Sequence, residues 1–151
     1  MTKIRVLVLA SILLLVIAGC SPKIGKTLAD NKVTIYKSQS CGCCQLYTGY
    51  MSNQGFDVNV ITVGFENPAK TKYNIPLSMQ SCHTTVIGNY YVEGHVPAEA
   101  IAKLMAEKPD IAGIAMPGMP SGSPGMPGAK SGSFVIYAID KNGDSREFMR
   151  I

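Results

Sequence analysis

Three cysteines stand within four residues at Cys41-Gly42-Cys43-Cys44, a fourth lies at Cys82 beside His83, and the second of only two histidines is His95. Sulfur at this density offers two kinds of chemistry. Cys41 and Cys44 have the C-x-x-C spacing of a dithiol that closes to a disulfide and reopens, which makes them the candidate catalytic pair of a thiol–disulfide exchange. Exchange needs two sulfurs, so Cys43 is surplus to it. Three soft thiolates together favour Cu(I), zinc or an iron–sulfur cluster over a plain dithiol. A disulfide staple with one spare cysteine also accounts for the triplet, but a chain of 151 residues can build its core without one.

Methionine adds to this. Three of the eight methionines fall in the segments Met116-Pro117-Gly118-Met119-Pro120 and Gly125-Met126-Pro127. Met usually fills gaps in cores, yet this segment is too rich in Pro and Gly to be a core element. Thioethers are soft ligands suited to Cu(I). The candidate metal ligands are therefore Cys41, Cys43, Cys44, Cys82, His95, Met116 and Met119. His83 and Met126 stay open, and the competing role for the loop is a lid that caps the domain by contact alone.

The elements that position these residues follow from pattern. Residues 33–37, VTIYK, read as a buried strand that runs into the cysteines. A helix is expected from Cys43 to about Asn53, with Leu46, Tyr47, Tyr50 and Met51 as its apolar side and Gly55 closing it. The partial positive charge at its N-terminus would stabilise a thiolate there. Residues 57–63 alternate as a second strand with Val58, Val60 and Thr62 on one face, and 66–73 form a short helix ended by Asn74 and Pro76. Residues 84–87 and 90–93 read as a hairpin turning on Gly88-Asn89. Pro97 opens a helix with Glu99 in its first turn, Ile101, Leu104 and Met105 as its apolar face, and Pro109 beyond its end.

Residues 111–133 hold four of the nine prolines and six of the fifteen glycines, a density that predicts neither helix nor strand. Residues 134–139 read as a last strand, and 141–144 as a turn before Glu147-Phe148-Met149. The order strand, cysteine turn, helix, strand, helix, hairpin, helix is that of a thioredoxin-like domain. The expected fold is α/β: one thioredoxin-like domain over 33–151 with an added Met/Pro/Gly-rich loop and a late strand. In such folds the loop before the third strand lies against the C-x-x-C motif and usually holds a cis-proline. Here that loop is Ser81-Cys82-His83-Thr84, so a fourth sulfur stands where a proline would be. This favours a metal site over a general disulfide oxidoreductase.

The N-terminus sets the location. Lys3 and Arg5 precede an apolar run over 6–18 broken only by Ser11, too short to span a bilayer comfortably and suited to an export signal. It ends Ile17-Ala18-Gly19-Cys20, which resembles a bacterial lipobox. Residues 1–19 are expected to be removed, Cys20 lipidated, and 20–32 left as a tether. Ser21 after the cysteine, by resemblance to enterobacterial lipoproteins, favours the outer membrane, with the domain on the periplasmic side. The compartment is oxidising. The chain is 46% hydrophobic and 16% charged with a net charge of only +4, which argues against an electrostatic nucleic-acid binder.

Taken in order, Cys41-Gly42-Cys43-Cys44, Ser81-Cys82-His83-Thr84, Glu93-Gly94-His95-Val96-Pro97, Met116-Pro117-Gly118-Met119-Pro120 and Gly122-Ser123-Pro124-Gly125-Met126 resemble the CopG-like family of small exported bacterial copper proteins. The resemblance spans about residues 33–140. It implies a thioredoxin-like fold, several copper ions held by the C-x-C-C cysteines and further Cys and His positions, and a part in copper resistance that interconverts Cu(I) and Cu(II). Copper export or chaperone proteins would be its partners, with the membrane held through the lipid. Gln45 and Tyr47 depart from the residues expected after the motif, and the lipobox is not a general family trait. Two other functions compete: a thiol–disulfide oxidoreductase using Cys41 and Cys44, and a structural zinc module, which the Met-rich loop argues against.

Overall fold

The computed structural model describes residues 32–151; the expected export signal, Cys20 and the expected tether up to residue 31 lie outside the described residues. Strand β1 (Lys32–Ser38) alternates, with Val33, Ile35 and Lys37 turned inward. It pairs in parallel with β2 (Asp57–Val63) and antiparallel with β3 (His83–Ile87). Helix α1 (Gly42–Asn53) joins β1 to β2. Helix α2 (Pro68–Lys72) and a single 3-10 turn (Leu77–Met79) precede β3. β3 and β4 (Tyr90–Glu93) form the expected antiparallel hairpin, and α3 (Ala98–Glu107) follows, with Pro97 at its N-cap and Lys108 closing it in the left-handed region. This is the thioredoxin-like core.

The sheet then continues beyond the sequence expectation. β5 (Gly113–Ala115) pairs in parallel with β4, β6 (Val135–Ile139) antiparallel with β5, and β7 (Ser145–Arg150) antiparallel with β6. The result is a seven-stranded sheet in the order β2-β1-β3-β4-β5-β6-β7. The added part is thus three strands, not one. β5 was hidden because its three residues open a stretch whose prolines all come later, from Pro117 onward. Gly113 suits it: a Cβ there would lie 2.3 Å from the Tyr91 carbonyl oxygen. β7 was hidden because Ser-Arg-Glu-Phe-Met-Arg is half charged and mostly exposed, as suits an edge strand.

Successive strand residues face opposite sides of the sheet. On one side Val33, Ile35, Val92, Ile114 and Ile136 pack with Tyr47 and Met51 of α1 and Ile101 and Leu104 of α3. On the other, Tyr91, Ala115 and Ile139 pack with Ile75 and Met79 from the α2 region. Two expectations on the apolar faces fail. Leu46 is 63% exposed, because α1 turns Cys44, Tyr47 and Met51 inward at helical spacing and carries Leu46 off that stripe. Val60 is 38% exposed, because β2 is an edge strand on which only Val58 packs against the main cluster. Among the described residues no helix is long and apolar enough to cross a membrane.

Candidate metal centre

The antiparallel pairing of Lys37 with His83 brings the end of β1 beside the start of β3. The cysteine turn after β1 and the loop before β3 therefore meet at one end of the sheet. Cys41 is the N-cap of α1, and its Sγ accepts the Cys44 backbone N–H at 3.3 Å. Cys41 and Cys44 are joined in a disulfide with Cα atoms 5.3 Å apart, while Cys43 and Cys82 are free thiols. Cys43 Sγ lies 3.4 Å from Cys41 Sγ and 3.9 Å from Cys82 Sγ. All four sulfurs fall within 4.8 Å of one another.

Cys82 also belongs to a second group. Its Sγ is 3.3 Å from His95 Nε2 and 3.6 Å from His83 Nδ1. A ligand atom from each of Cys82, His83 and His95 lies within 4.8 Å of the others. His95 Nδ1 is 2.7 Å from the Pro124 carbonyl oxygen. A carbonyl only accepts, so Nδ1 carries the proton and Nε2 turns a lone pair toward Cys82. His83 is completely buried, and its Nε2 has no hydrogen-bond partner. A buried, unpaired imidazole nitrogen is costly unless something binds it. The sequence left His83 open; its placement puts it with Cys82 and His95.

Burial sets the protonation states. It pushes His83 down from its ordinary 6.5 to about 3, helped by His95 and then by Lys70, and it also lowers His95. Both imidazoles are neutral at neutral pH, the form that ligates metals. Burial, with Cys43 alongside, pushes the Cys82 thiol up to about 11, so this thiol keeps its proton until a metal displaces it. Tyr47 forms the floor: its ring centre is 4.4 Å from that of His83 and 5.6 Å from that of His95, and its hydroxyl donates to Val96 O at 2.9 Å.

The methionine loop reaches the site by its backbone. Besides Pro124 O on His95, Gly125 lies against α1, where a Cβ would stand 2.8 Å from Cys43 O and 2.7 Å from Tyr47 N. Met116 follows β5 and is buried in the main apolar cluster. Met119 is 44% exposed with φ of 46°, and Met126 is half-buried. Sequence reasoning attended to the thioethers and missed Pro124 and Gly125. The signal was present only as glycine and proline flanking Met126.

A family model described as a protein of unknown function, DUF411, matches residues 79–126, the span holding Cys82, both histidines and the methionine loop. No curated protein matches the chain. Two solved structures do, both titled copper resistance protein CopG. Form 1 is 35% identical, covers 80% of this chain and 96% of its own, and has a TM-score of 0.73. Form 2 is 34% identical, covers 80% of this chain and 98% of its own, and has the same TM-score of 0.73. With identity of that order across nearly the whole of those chains, on a shared thioredoxin-like α/β fold, the chain belongs to the CopG family of copper resistance proteins.

Proposed function

We propose that this chain binds several copper ions at the merged cysteine and histidine groups and serves copper resistance by holding Cu(I) and Cu(II) in turn. The observation that carries the reading is that Cys82 Sγ is common to an all-sulfur group and to a Cys-His-His group. Thiolates suit Cu(I), while imidazole nitrogen with one sulfur tolerates Cu(II). With Cys41 and Cys44 reduced, four sulfurs are available and thiolate bridging lets them hold more than one Cu(I). Closing the disulfide removes two ligands and leaves Cys43, Cys82, His83 and His95. Balanced, two thiols give up two electrons and two protons to form the S–S bond, and two Cu(II) become two Cu(I). The released Cu(I) passes to an acceptor such as an export or chaperone protein, and an external dithiol reductant, itself oxidised to a disulfide, supplies the two electrons and two protons that reopen Cys41–Cys44. Met119, exposed on the loop, is the thioether best placed to meet an arriving ion, whereas Met116 is engaged in packing.

The test is copper per chain after gel filtration, with and without reductant. Reduced protein is expected to carry more copper than oxidised protein, and as Cu(I). Equal content in both states contradicts the redox dependence. A second reading, a metal-free thiol–disulfide oxidoreductase, is favoured by the Cys41–Cys44 disulfide at a helix N-terminus. It predicts disulfide reductase activity with no copper in either state.

Export and lipidation at Cys20 belong to the same proposal, resting on Ile17-Ala18-Gly19-Cys20 after the apolar run. Wild-type protein is expected in the membrane fraction with a lipid-sized mass increment on its N-terminal peptide, and Cys20→Ser in the soluble or unprocessed fraction. An N-terminal peptide without added mass contradicts it.

A further inference from the structure

A buried ion pair behind the site is not used by the chemistry above. Glu93, the last residue of β4, is completely buried and pairs with Lys70 of α2. Its carboxylate also accepts the Ser81 backbone N–H at 2.6 Å and the Thr84 hydroxyl at 2.6 Å. Lys70 Nζ donates in addition to the Ser81 carbonyl oxygen at 2.7 Å. Both backbone polar groups of the residue preceding Cys82 are therefore held by one ion pair. The residue just past β4 completes the grip: Gly94 N–H donates to His83 O at 3.1 Å. A Cβ on Gly94 would lie 3.0 Å from the Ser81 side chain, so the loop lies flush against it.

Energy alone does not explain such a pair. Removing two charges from water costs several kcal/mol per ion, and apolar residues of similar volume often serve stability as well. What an apolar pair cannot do is hold the two peptide groups that flank one residue, the first by its N–H and the second by its C=O. The loop Ser81-Cys82-His83-Thr84 has no proline to stiffen it. We propose that the Glu93–Lys70 pair is the positioning device for Cys82, fixing the backbone on both sides of Ser81 so that one sulfur stands within reach of both Cys43 and His95. Glu93 and Lys70 act through Ser81 and touch no ligand atom of the site themselves. The inference rests on the copper reading only for its consequence in metal binding.

The experiment uses Glu93→Gln, the apolar double variant Lys70→Met/Glu93→Leu, and Lys70→Arg, with melting curves run on each. In reduced, metal-free protein, iodoacetamide labelling of Cys82 is measured against Cys43 in the same sample. Glu93→Gln and the double variant are expected to raise the Cys82-to-Cys43 labelling ratio about tenfold. They are also expected to weaken copper binding by about 10- to 100-fold, the usual range for residues that orient a ligand. Lys70→Arg, which keeps a cationic donor, is expected to leave both at their wild-type values. A wild-type labelling ratio in folded Glu93→Gln or double variant overturns the proposal whatever the copper result. Failure of the double variant to fold also overturns it, because the pair is then a requirement of the fold. If wild-type protein binds no copper, the copper reading fails, and the labelling ratio still decides the role of the pair.

Discussion

Cys82→Ser is expected to strip the protein of most of its copper while leaving the fold intact. Cys82 is the one residue in both ligand groups, so its loss removes a sulfur from the all-sulfur set and the only sulfur from the set with His83 and His95. Residues that merely orient ligands change metal affinity by about 10- to 100-fold, and a shared ligand should exceed that. Serine nearly matches the size of cysteine, and Cys82 is only half-buried, so the melting temperature should change little. Cys43→Ser is the comparison. It lowers capacity but leaves the Cys41–Cys44 disulfide and the Cys82, His83 and His95 group. Copper retained through gel filtration, read beside a thermal melt, checks both. Wild-type copper in Cys82→Ser would mean that the two groups do not share their sulfur.

Gly125→Ala is expected to damage stability and metal binding together. Gly125 has φ of 80°, and a Cβ would stand 2.7 Å from Tyr47 N and 2.8 Å from Cys43 O. Both are backbone atoms of α1 and cannot swing aside. The left-handed conformation alone costs about 1–2 kcal/mol for a non-glycine residue, and the collision should raise the total to about 3 kcal/mol or lift the loop off the helix. A lifted loop takes Pro124 O away from His95 and frees that ring. Gly118→Ala isolates the backbone term: φ there is 85°, and nothing lies within 4 Å of the added Cβ. It should cost about 1 kcal/mol and leave copper binding unchanged. Equal effects from the two variants would reduce the loop to a tether between strands.

What the sequence disclosed and what it concealed divide along a physical line. Features set by side-chain type and period were legible. These include β1 from its apolar alternation, α1 from the cysteine turn through Tyr47 and Met51, and the hairpin from Gly88-Asn89. The meeting of Cys82 with the Cys41–Cys44 turn followed from the loop order of a thioredoxin-like fold. Features set by pairing partners were not legible. β5 is three residues long and stands only because β4 and β6 flank it. β7 is an edge strand whose two core-packed residues, Phe148 and Met149, are adjacent rather than alternating, so no period announces it. The same holds in the site. His95 was a candidate by its residue type, but its tautomer is set by a carbonyl at Pro124, and every residue has a carbonyl. Gly125 matters for the Cβ it lacks. Glu93 was visible only as a neighbour of His95, because the Ser81 peptide it holds lies on another strand's approach.

X-ray absorption at the copper edge tests the central claim most directly, since it reports valence and ligand type together. Reduced, copper-loaded protein should show a Cu(I) edge, a first shell dominated by sulfur, and copper–copper scattering from bridging thiolates. Protein loaded after closure of the Cys41–Cys44 disulfide should hold less copper, with imidazole nitrogen prominent in the shell. A first shell of nitrogen and oxygen alone in both states would contradict the account.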